Sequence, residues 1–530
     1  MTHDTFVKSS RGTTSMTSFN ASRRLFMRQA GAISAVGAAA APMALNLAAI
    51  GSAAAQSASD YKALVCIFLF GGNDSLNMVL PTDAASWANY SAVRNQAPES
   101  IALLAPGTAP NPSAGAGSPA RLGGVLPISP ANAQGRSFAL HPSMGTLQTL
   151  FDTDRRLAIL PNVGTLVMPT SKLQYSLASH PKPASLFSHN DQQNTWQSFR
   201  PEGATVGWGG RLGDLLASMN SRAVFTSIAA GGNAVWLAGQ TVQQYQVGTN
   251  GAIRMGTDSN GRVFGSADVG AAMQRIVGGT RGGHVFEADL AAVSQKSIDA
   301  ELTLRTALKP ASDALFGTPA SPYNPNSDPK LQYDNPLNPG SKAFNGLAQQ
   351  LQVVARMIDA SSAAGIGARR QVFFVSMGGF DSHDNENRNN ADLMAKLAHA
   401  MRYFDTTLAA MGAQSKVTAF TASDFGRTFT SNGDGTDHGW GAHHFVMGGA
   451  VKGGDLYGNF PVLGAKNATN NNFDSSPNQI GNGSLIPETS VDQLGATLAR
   501  WFGVSDSDAL TVFPNLANFD ASKRNLGFMA

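Results

Sequence analysis

Residues 62–74 read KALVCIFLFGGND, an apolar run that ends in two glycines, Asn73 and Asp74. A continuous run of Val, Ile, Leu and Phe of this length is typical of a strand buried on both faces of a parallel sheet. Runs of the same kind recur at 155–161, 223–229, 370–377 and 416–423, with a weaker one at 444–451. The sequence therefore predicts a sheet that is built mainly from buried strands.

Two amphipathic patterns lie between some of these runs. Residues 342–362 and 392–411 carry apolar side chains at three- and four-residue spacing, which predicts helices. The alternation of helix and strand indicates an α/β fold, a three-layer sandwich with a mainly parallel central sheet. No clean boundary divides residues 56–530, so we expect one domain. Segments rich in Gly, Pro, Ser and Asn predict loop-rich insertions near 99–136, 240–340 and 463–487.

The N-terminal segment differs from the rest of the chain. Residues 22–28 read SRRLFMR and lead into an Ala-rich apolar run that closes with three alanines before Gln56. An arginine pair, a Phe two residues later and a small-residue cleavage site predict a twin-arginine signal peptide over residues 1–55. The alternative is a membrane-spanning or buried helix, but a Pro, an Asn and several Gly make the run weakly apolar. We expect export by the twin-arginine machinery to the periplasm or the exterior, without a stable transmembrane anchor in the mature chain.

Net charge and cysteine content exclude one class of partner and one kind of cross-link. The whole chain has a formal net charge of +3, but residues 1–55 hold five of the 38 basic and one of the 35 acidic residues. The remainder carries 33 and 34, a formal charge of −1, which argues against a nucleic-acid partner. Cys66 is the only cysteine, so an intrachain disulfide is excluded.

Polar residues follow three of the predicted strands at their carboxyl ends. Asp74 follows the first run, Asp381 and His383 follow the run at 370–377, and Asp424 follows the run at 416–423. Ligands of open α/β sheets bind at this edge. Each aspartate could instead cap a helix or shape a glycine turn.

Histidines supply the second kind of candidate ligand. His438, His443 and His444 lie in GTDHGWGAHHFVMGG, directly before a predicted strand. Carboxylate and imidazole ligands together suit a divalent metal, and we expect Zn, Mn or Ca. The tripeptide Asp424-Phe425-Gly426 matches the kinase magnesium motif, but the chain has no HRD loop and no glycine-rich phosphate loop before it.

The sequence resembles a bacterial family of twin-arginine-exported proteins of unassigned function. The matching pieces run in order through the chain: FLFGGNDSLNMVLP, SHNDQQNTW, GWGGRLG, VSMGGFDSH, TASDFGRT, TDHGWGAHHFVMGGAVKGG and DQLGATLARWFGV. That family is placed in the alkaline phosphatase and sulfatase superfamily. The resemblance implies an alkaline-phosphatase-like fold and a metal-dependent hydrolase that acts on a phosphate or sulfate ester of a small molecule or a glycan.

The resemblance also assigns roles to individual residues. It implies that Asp74, Asp381, His383, Asp424 and His438 are metal ligands, with His189 and His443 as further candidates. Ser188, at the predicted start of a helix, would be the attacking group, and Arg427 would hold the substrate anion. Ser188 could equally be an ordinary helix cap and Arg427 a structural ion pair. Phe425 stands where the superfamily usually has a histidine, so a non-catalytic envelope or periplasmic binding protein with the same fold is the second hypothesis.

Overall fold

The apolar run at the start of the mature chain lies in the middle of the central sheet. A computed structural model describes residues 60–249, 251–252, 262–279 and 285–530, so the predicted signal peptide lies outside the described residues. The strands are β1 Lys62–Leu69, β2 Val79–Pro81, β3 Leu126–Ile128, β4 Phe138–Leu140, β5 Leu157–Gly164, β6 Ser227–Ala229, β7 Tyr245–Gly248, β8 Gly251–Ala252, β9 Gln332–Asp334, β10 Lys342–Phe344, β11 Arg370–Met377, β12 Val417–Ser423, β13 Arg427–Ser431, β14 Thr436–His438, β15 Ala442–Gly448, β16 Asp455–Leu456 and β17 Thr489–Ser490.

Helices connect the strands and cover the sheet. The α-helices are α1 Ser75–Met78, α2 Ala84–Arg94, α3 Pro119–Leu122, α4 Gly145–Asp152, α5 Lys172–Ser176, α6 His189–Ser198, α7 Trp208–Leu216, α8 Ala267–Gly278, α9 Val285–Ala307, α10 Gly346–Asp359, α11 Glu386–Ala410, α12 Val491–Phe502 and α13 Asp506–Val512. Short 3-10 turns lie at Pro142–Met144, Ala217–Met219, Ala223–Phe225, Val235–Leu237, Pro325–Ser327, Pro329–Leu331, Ala360–Ser362, Gln414–Lys416, Gly481–Gly483, Leu516–Asn518 and Ala521–Lys523. No helix among the described residues is both long enough and apolar enough to cross a membrane.

The central sheet is mixed and mostly parallel. Its ten strands follow the order β16-β5-β15-β12-β1-β11-β6-β7-β8, and β17 also pairs with β5. β1 pairs in parallel with β11 and β12, and β6 and β7 continue in the same direction. β15 runs antiparallel to both of its neighbours, β12 and β5. The predicted α/β fold with a mainly parallel sheet is confirmed.

Successive side chains of a strand point to opposite faces of the sheet. In β1 nearly all of these side chains are buried, so both faces of the sheet are covered there. On one face, Val65 and Ile67 of β1 share a core cluster with Leu351 of α10 and Leu397 of α11. On the other face, the ring of Phe68 packs edge-on against an indole of α6, with 6.2 Å between the ring centroids. This two-sided burial is the reason that β1 reads as an uninterrupted apolar run.

Two of the predicted elements are shorter than their sequence patterns. The run at 223–229 forms a 3-10 turn first, and β6 begins only at Ser227. The helix expected over 342–362 begins at Gly346, because Asn345 caps it with hydrogen bonds to two backbone amides. Residues Ala58–Ala530 form one compact unit.

Candidate metal centre

The carboxyl ends of the central strands meet at one edge of the sheet. Leu69 of β1 lies beside Met377 of β11 and beside Ser423 of β12, so the loops that follow these strands start side by side. β15 is antiparallel, and therefore its first residues, not its last, lie at this edge. The hairpin of β13 and β14 precedes β15 and sets His438 opposite Arg427.

His189 enters the same edge from helix α6, of which it is the first residue. Its Nε2 lies 3.1 Å from the Nε2 of His438 and 3.3 Å from Oδ2 of Asp381. Its Nδ1 lies 2.7 Å from Oδ2 of Asp424. A proton on Nδ1 satisfies that carboxylate, so the Nε2 lone pair is free to face His438 and Asp381.

His438 is held in the same way by a backbone group. Its Nδ1 lies 2.7 Å from the carbonyl oxygen of Phe187, and in the neutral ring this places the lone pair on Nε2. Phe187 has a φ of 74°, in the left-handed region that costs a non-glycine residue roughly 1–2 kcal/mol. The surrounding chain sustains this strained conformation at the residue whose carbonyl group orients a cluster histidine.

His383 is the third histidine of the cluster and the most exposed of the three. Its Nε2 lies 3.1 Å from Nε2 of His438 and 3.0 Å from Oδ1 of Asp381. Its Nδ1 lies 3.3 Å from Oδ1 of Asp437. All three rings therefore turn Nδ1 toward an oxygen and Nε2 toward the centre of the cluster.

This arrangement has the geometry of a metal site. The ligand atoms of His189, Asp381 and His438 lie within 4.8 Å of one another. A tetrahedral zinc ion with bonds of about 2.0–2.1 Å sets its ligand atoms about 3.3 Å apart. Ligating histidines usually donate their other ring N–H to a carboxylate or a carbonyl group, as His189 and His438 are placed to do.

Charge within the cluster is balanced by a buried arginine. Arg427 donates from Nη1 to Oδ1 of Asp381 at 2.6 Å and to the carbonyl oxygen of Gly71 at 3.3 Å. Its Nε and Nη2 donate to the hydroxyl and carbonyl oxygens of Thr436. The structural ion pair anticipated as the alternative for Arg427 is present, and the side chain is 0% exposed.

The pKa values in the cluster shift in different directions. Partial burial would raise the pKa of Asp381, but the hydrogen bond and charge of Arg427 outweigh it and lower this pKa. The hydrogen bond to Asp424 raises the pKa of His189 against the effect of burial. Burial lowers the pKa of His438, against the effect of its bond to the Phe187 carbonyl group. A more basic His189 is a stronger ligand, and a neutral His438 has its lone pair available.

Asp424 lies behind the ligand shell. Its Oδ2 accepts hydrogen bonds from His189, from Nε2 of Gln193 at 2.8 Å and from the amide of Gly71 at 3.2 Å. Its Oδ1 is buried and makes no hydrogen bond. Asp424, which the resemblance implies as a ligand, therefore contacts the cluster through His189.

Phe425 forms an apolar wall of the cluster. Its ring centroid lies 4.8 Å from that of His189 and 4.7 Å from that of His438. The ring also fills the space beside Gly72, where an added Cβ would lie 2.3 Å from Cε2 of Phe425. Phe425 thus packs against two of the three cluster histidines.

Two of the expected ligands, Asp74 and His443, have other partners in the structure. Asp74 is fully engaged by Arg94, with contacts of 2.5 Å and 3.0 Å to its two carboxylate oxygens, and it also caps α1. His443 lies in the core, where its Nδ1 accepts the amide proton of Asn162 at 3.0 Å. Burial lowers the pKa of His443 to about 3. Asp74 follows β1 as expected, and its carboxylate is bound by Arg94.

Ser188 occupies the N-cap position of α6. Its side chain makes no capping hydrogen bond. The hydroxyl group instead lowers the pKa of Asp191, after a larger effect from the amide of Glu202. The Ser188 hydroxyl is thus hydrogen-bonded to Asp191, in the first turn of α6.

Several residues of the site were not predicted from the sequence. Gln193 lies four residues after His189 on α6, and this helical spacing is a signal that could have placed both side chains on one face. Asp437 precedes His438 directly in the sequence. Nothing in the sequence distinguishes Arg94 or the carbonyl group of Phe187.

Comparisons with known proteins place the chain in a family. Residues 61–509 match the model of a family described as "Protein of unknown function (DUF1501)". Among curated proteins, no sequence matches the chain. Similar solved structures include Ps i-CgsB in complex with k-i-k-neocarrahexaose, at 8% identity, 88% coverage of this chain, 78% of that chain and a TM-score of 0.32.

Two further solved structures are similar at the same level. The PsFucS1 sulfatase from Pseudoalteromonas sp. has 9% identity, 92% coverage of this chain, 76% of that chain and a TM-score of 0.34. A mutant of the alkaline phosphatase PafA has 10% identity, 70% coverage of this chain, 64% of that chain and a TM-score of 0.25. These similarities are distant, and the chain's own strand order and contacts carry the description of its fold and site.

Proposed function

We propose a function for this chain, which belongs to the DUF1501 family of proteins of unknown function: it is an exported, metal-dependent hydrolase of phosphate or sulfate esters. The observation that carries the proposal is the convergence of three imidazole Nε2 atoms and the Asp381 carboxylate at the carboxyl edge of the sheet. His189, His438 and Asp381 would hold a divalent ion. Such an ion would polarise an ester oxygen and favour the ionisation of a water molecule.

The residues around the ion would position the ester and manage protons. The side chain of His383 is nearly half exposed, so a ligand that enters from solvent can reach it. In hydrolysis, a water oxygen bonds to phosphorus or sulfur, the bond to the ester oxygen breaks, and the leaving oxygen takes a proton. His383 is placed to give that proton, and Asp437 beside its Nδ1 would stabilise the ring while it is charged.

The start of helix α6 favours an anionic substrate. No side chain caps the first backbone N–H groups of this ten-residue helix, and His189, at its first position, belongs to the cluster. The positive end of the helix dipole therefore lies at the metal site, where a phosphate or sulfate group would be stabilised. Because the Ser188 hydroxyl is hydrogen-bonded to Asp191, we propose water as the attacking group in place of Ser188.

Metal analysis and an ester panel test this proposal together. We expect wild-type protein to retain a divalent metal and to hydrolyse at least one of p-nitrophenyl phosphate, bis(p-nitrophenyl) phosphate and p-nitrophenyl sulfate. His438→Ala should lose both metal and hydrolysis. His180→Ala removes a histidine that contacts Thr170 outside the cluster, and it should retain both. Metal-free wild-type protein with full activity would refute the proposal.

A non-catalytic metal-binding protein of the cell envelope is the second candidate. Phe425 favours it, because an apolar ring packs against two of the three histidines and restricts the space for a substrate. This candidate predicts stoichiometric metal but no turnover of any ester with Zn, Mn or Ca. Turnover that disappears in His383→Ala, while the metal stays bound, would exclude it.

Export completes the proposal. We propose that residues 1–55 direct the protein to the periplasm or the exterior through the twin-arginine machinery. Changing the pair Arg23 and Arg24 to lysines should leave the precursor in the cytoplasm, as fractionation would show. Secretion that is unaffected by this change would argue against the twin-arginine route.

A further inference from the structure

We infer that the centre holds one metal ion and not two, because two buried arginines bind the carboxylates that a second ion would need. The inference rests on the proposed function only for the presence of a metal. It concerns the supply of ligand atoms at the carboxyl edge of the sheet.

The described part of the chain supplies enough donors for one ion. The converging groups are the Nε2 atoms of His189, His383 and His438 and the carboxylate of Asp381. Two-metal hydrolytic sites place their ions about 3.5–4 Å apart, and each ion needs about four ligands. His189, His438 and Asp381 leave one position of a four-coordinate ion open for water, and His383 is the only further donor among these converging groups, so a second ion would lack a shell of its own.

Arg427 occupies the position from which Asp381 could bridge two ions. Its Nη1 lies 2.6 Å from Oδ1 of Asp381, the oxygen that also faces His383 and His438, whereas Oδ2 faces His189. The guanidinium group is buried, and Gly71 and Thr436 fix its remaining N–H groups. A second cation on Oδ1 would have to displace or adjoin this fixed positive charge.

Arg94 withdraws the aspartate that follows the first strand. It binds both oxygens of Asp74 and also donates to the carbonyl oxygens of Phe429 and Thr428 at 3.2 Å and 3.1 Å. The Arg94 side chain is 0% exposed, so this pair is shielded from water and salt. Asp74 is therefore not available as a ligand at the cluster edge.

Asp424 and Phe425 supply too few ligand atoms for a second metal ion. Oδ2 of Asp424 already accepts three hydrogen bonds, which leaves Oδ1 as one additional oxygen. Phe425 presents a ring without ligand atoms to His189 and His438. One oxygen beside an apolar wall does not complete a coordination shell.

Counting metal ions tests the inference without an activity assay. Metal-depleted protein would be reloaded with excess Zn²⁺ or Mn²⁺, desalted, and measured by elemental analysis and native mass spectrometry. We expect one retained ion per chain and, with Mn²⁺, the electron paramagnetic resonance signal of an isolated ion. Two retained ions with an exchange-coupled spectrum would overturn the inference but leave the proposed function intact. No retained ion would instead overturn the proposed function.

A variant separates the role of the arginines from that of the ring. Phe425→His supplies a nitrogen at the position where the superfamily has one, while Arg427 and Arg94 stay in place. If the arginines exclude the second ion, this variant should still retain one. A second ion in Phe425→His would show that the ring alone excludes it, which would overturn the inference as argued. His180→Ala, whose histidine lies outside the cluster, is the reference for non-specific binding.

Discussion

Replacing Asp424 by Asn removes one negative charge at nearly constant side-chain size. The carboxylate lies 2.7 Å from Nδ1 of His189 and is buried, with two further donors on the same oxygen. In the variant, the neutral amide oxygen still accepts a hydrogen bond but no longer carries the charge that makes His189 basic. We expect the fold to persist and metal affinity to fall.

The size of the effect follows from this one contact. A hydrogen bond to a charged group contributes about 1.5–3 kcal/mol, and here it is shielded from solvent. If nearly all of that energy is expressed in metal binding, the dissociation constant rises about 10- to 100-fold, since tenfold corresponds to about 1.4 kcal/mol. The same range is typical when a partner of a ligating histidine is removed.

Competition with a chelator of known affinity would measure the dissociation constant. Asp437→Asn is the matched control, because Asp437 also lies behind a histidine but is 50% exposed and 3.3 Å from Nδ1 of His383. We expect it to change affinity less than about threefold, since solvent screens exposed pairs. Equal effects of the two variants, or unchanged affinity in a folded Asp424→Asn protein, would refute the reasoning.

Three further predictions concern stability, measured by urea unfolding. Gly71→Ala should prevent folding or lower the free energy of unfolding by more than about 2 kcal/mol, because the φ of Gly71 is +117° and an added Cβ would lie 2.4 Å from the backbone nitrogen of Asp381. Gly378→Ala is the control, because the space around Gly378 is open, and it should change stability little. Arg94→Met should cost about 3–5 kcal/mol, because it leaves the buried carboxylate of Asp74 unpaired; a cost below 1 kcal/mol would contradict the pairing. Burial lowers the pKa of His443 from 6.5 to about 3. Between these pH values the unfolded chain binds a proton at His443 that the folded protein does not bind. The contribution of His443 to the free energy of unfolding therefore falls by about 1.4 kcal/mol per pH unit as pH drops from 6.5 toward 3. His443→Gln should reduce the slope of the free energy of unfolding against pH by that amount.

Much of the fold could be predicted from the composition of individual strands. The apolar runs that became β1, β11 and β12 are buried on both faces, and such burial leaves a continuous pattern in the sequence. The direction of β15 left no comparable signal, because a buried strand has the same composition whichever way it runs. Yet this direction decides the site, since it brings the residues before β15 to the carboxyl edge.

The candidate site was predictable only in part. His189, Asp381, His383 and His438 were expected as ligands and lie together in the structure. Asp74 was expected with them, but its partner, Arg94, lies twenty residues away on another element. Pairing of this kind depends on how α2 packs against the sheet, and spacing along the chain does not report it.

The origin of the cluster residues explains why the site needs the whole fold. His189 comes from the start of α6, Asp381 from the loop after β11 and His438 from the end of β14, so 249 residues separate the two histidines. An unfolded chain therefore has no preformed ligand set, and metal binding would be coupled to folding. Export by the proposed twin-arginine route would fit this coupling, because the chain could fold and bring the ligands together before it leaves the cytoplasm. The ion pairs of the buried arginines, Arg427 with Asp381 and Arg94 with Asp74, would then fix the edge in advance. The Nε2 atoms of His189 and His438 and one carboxylate oxygen of Asp381 remain as the groups that meet the ion.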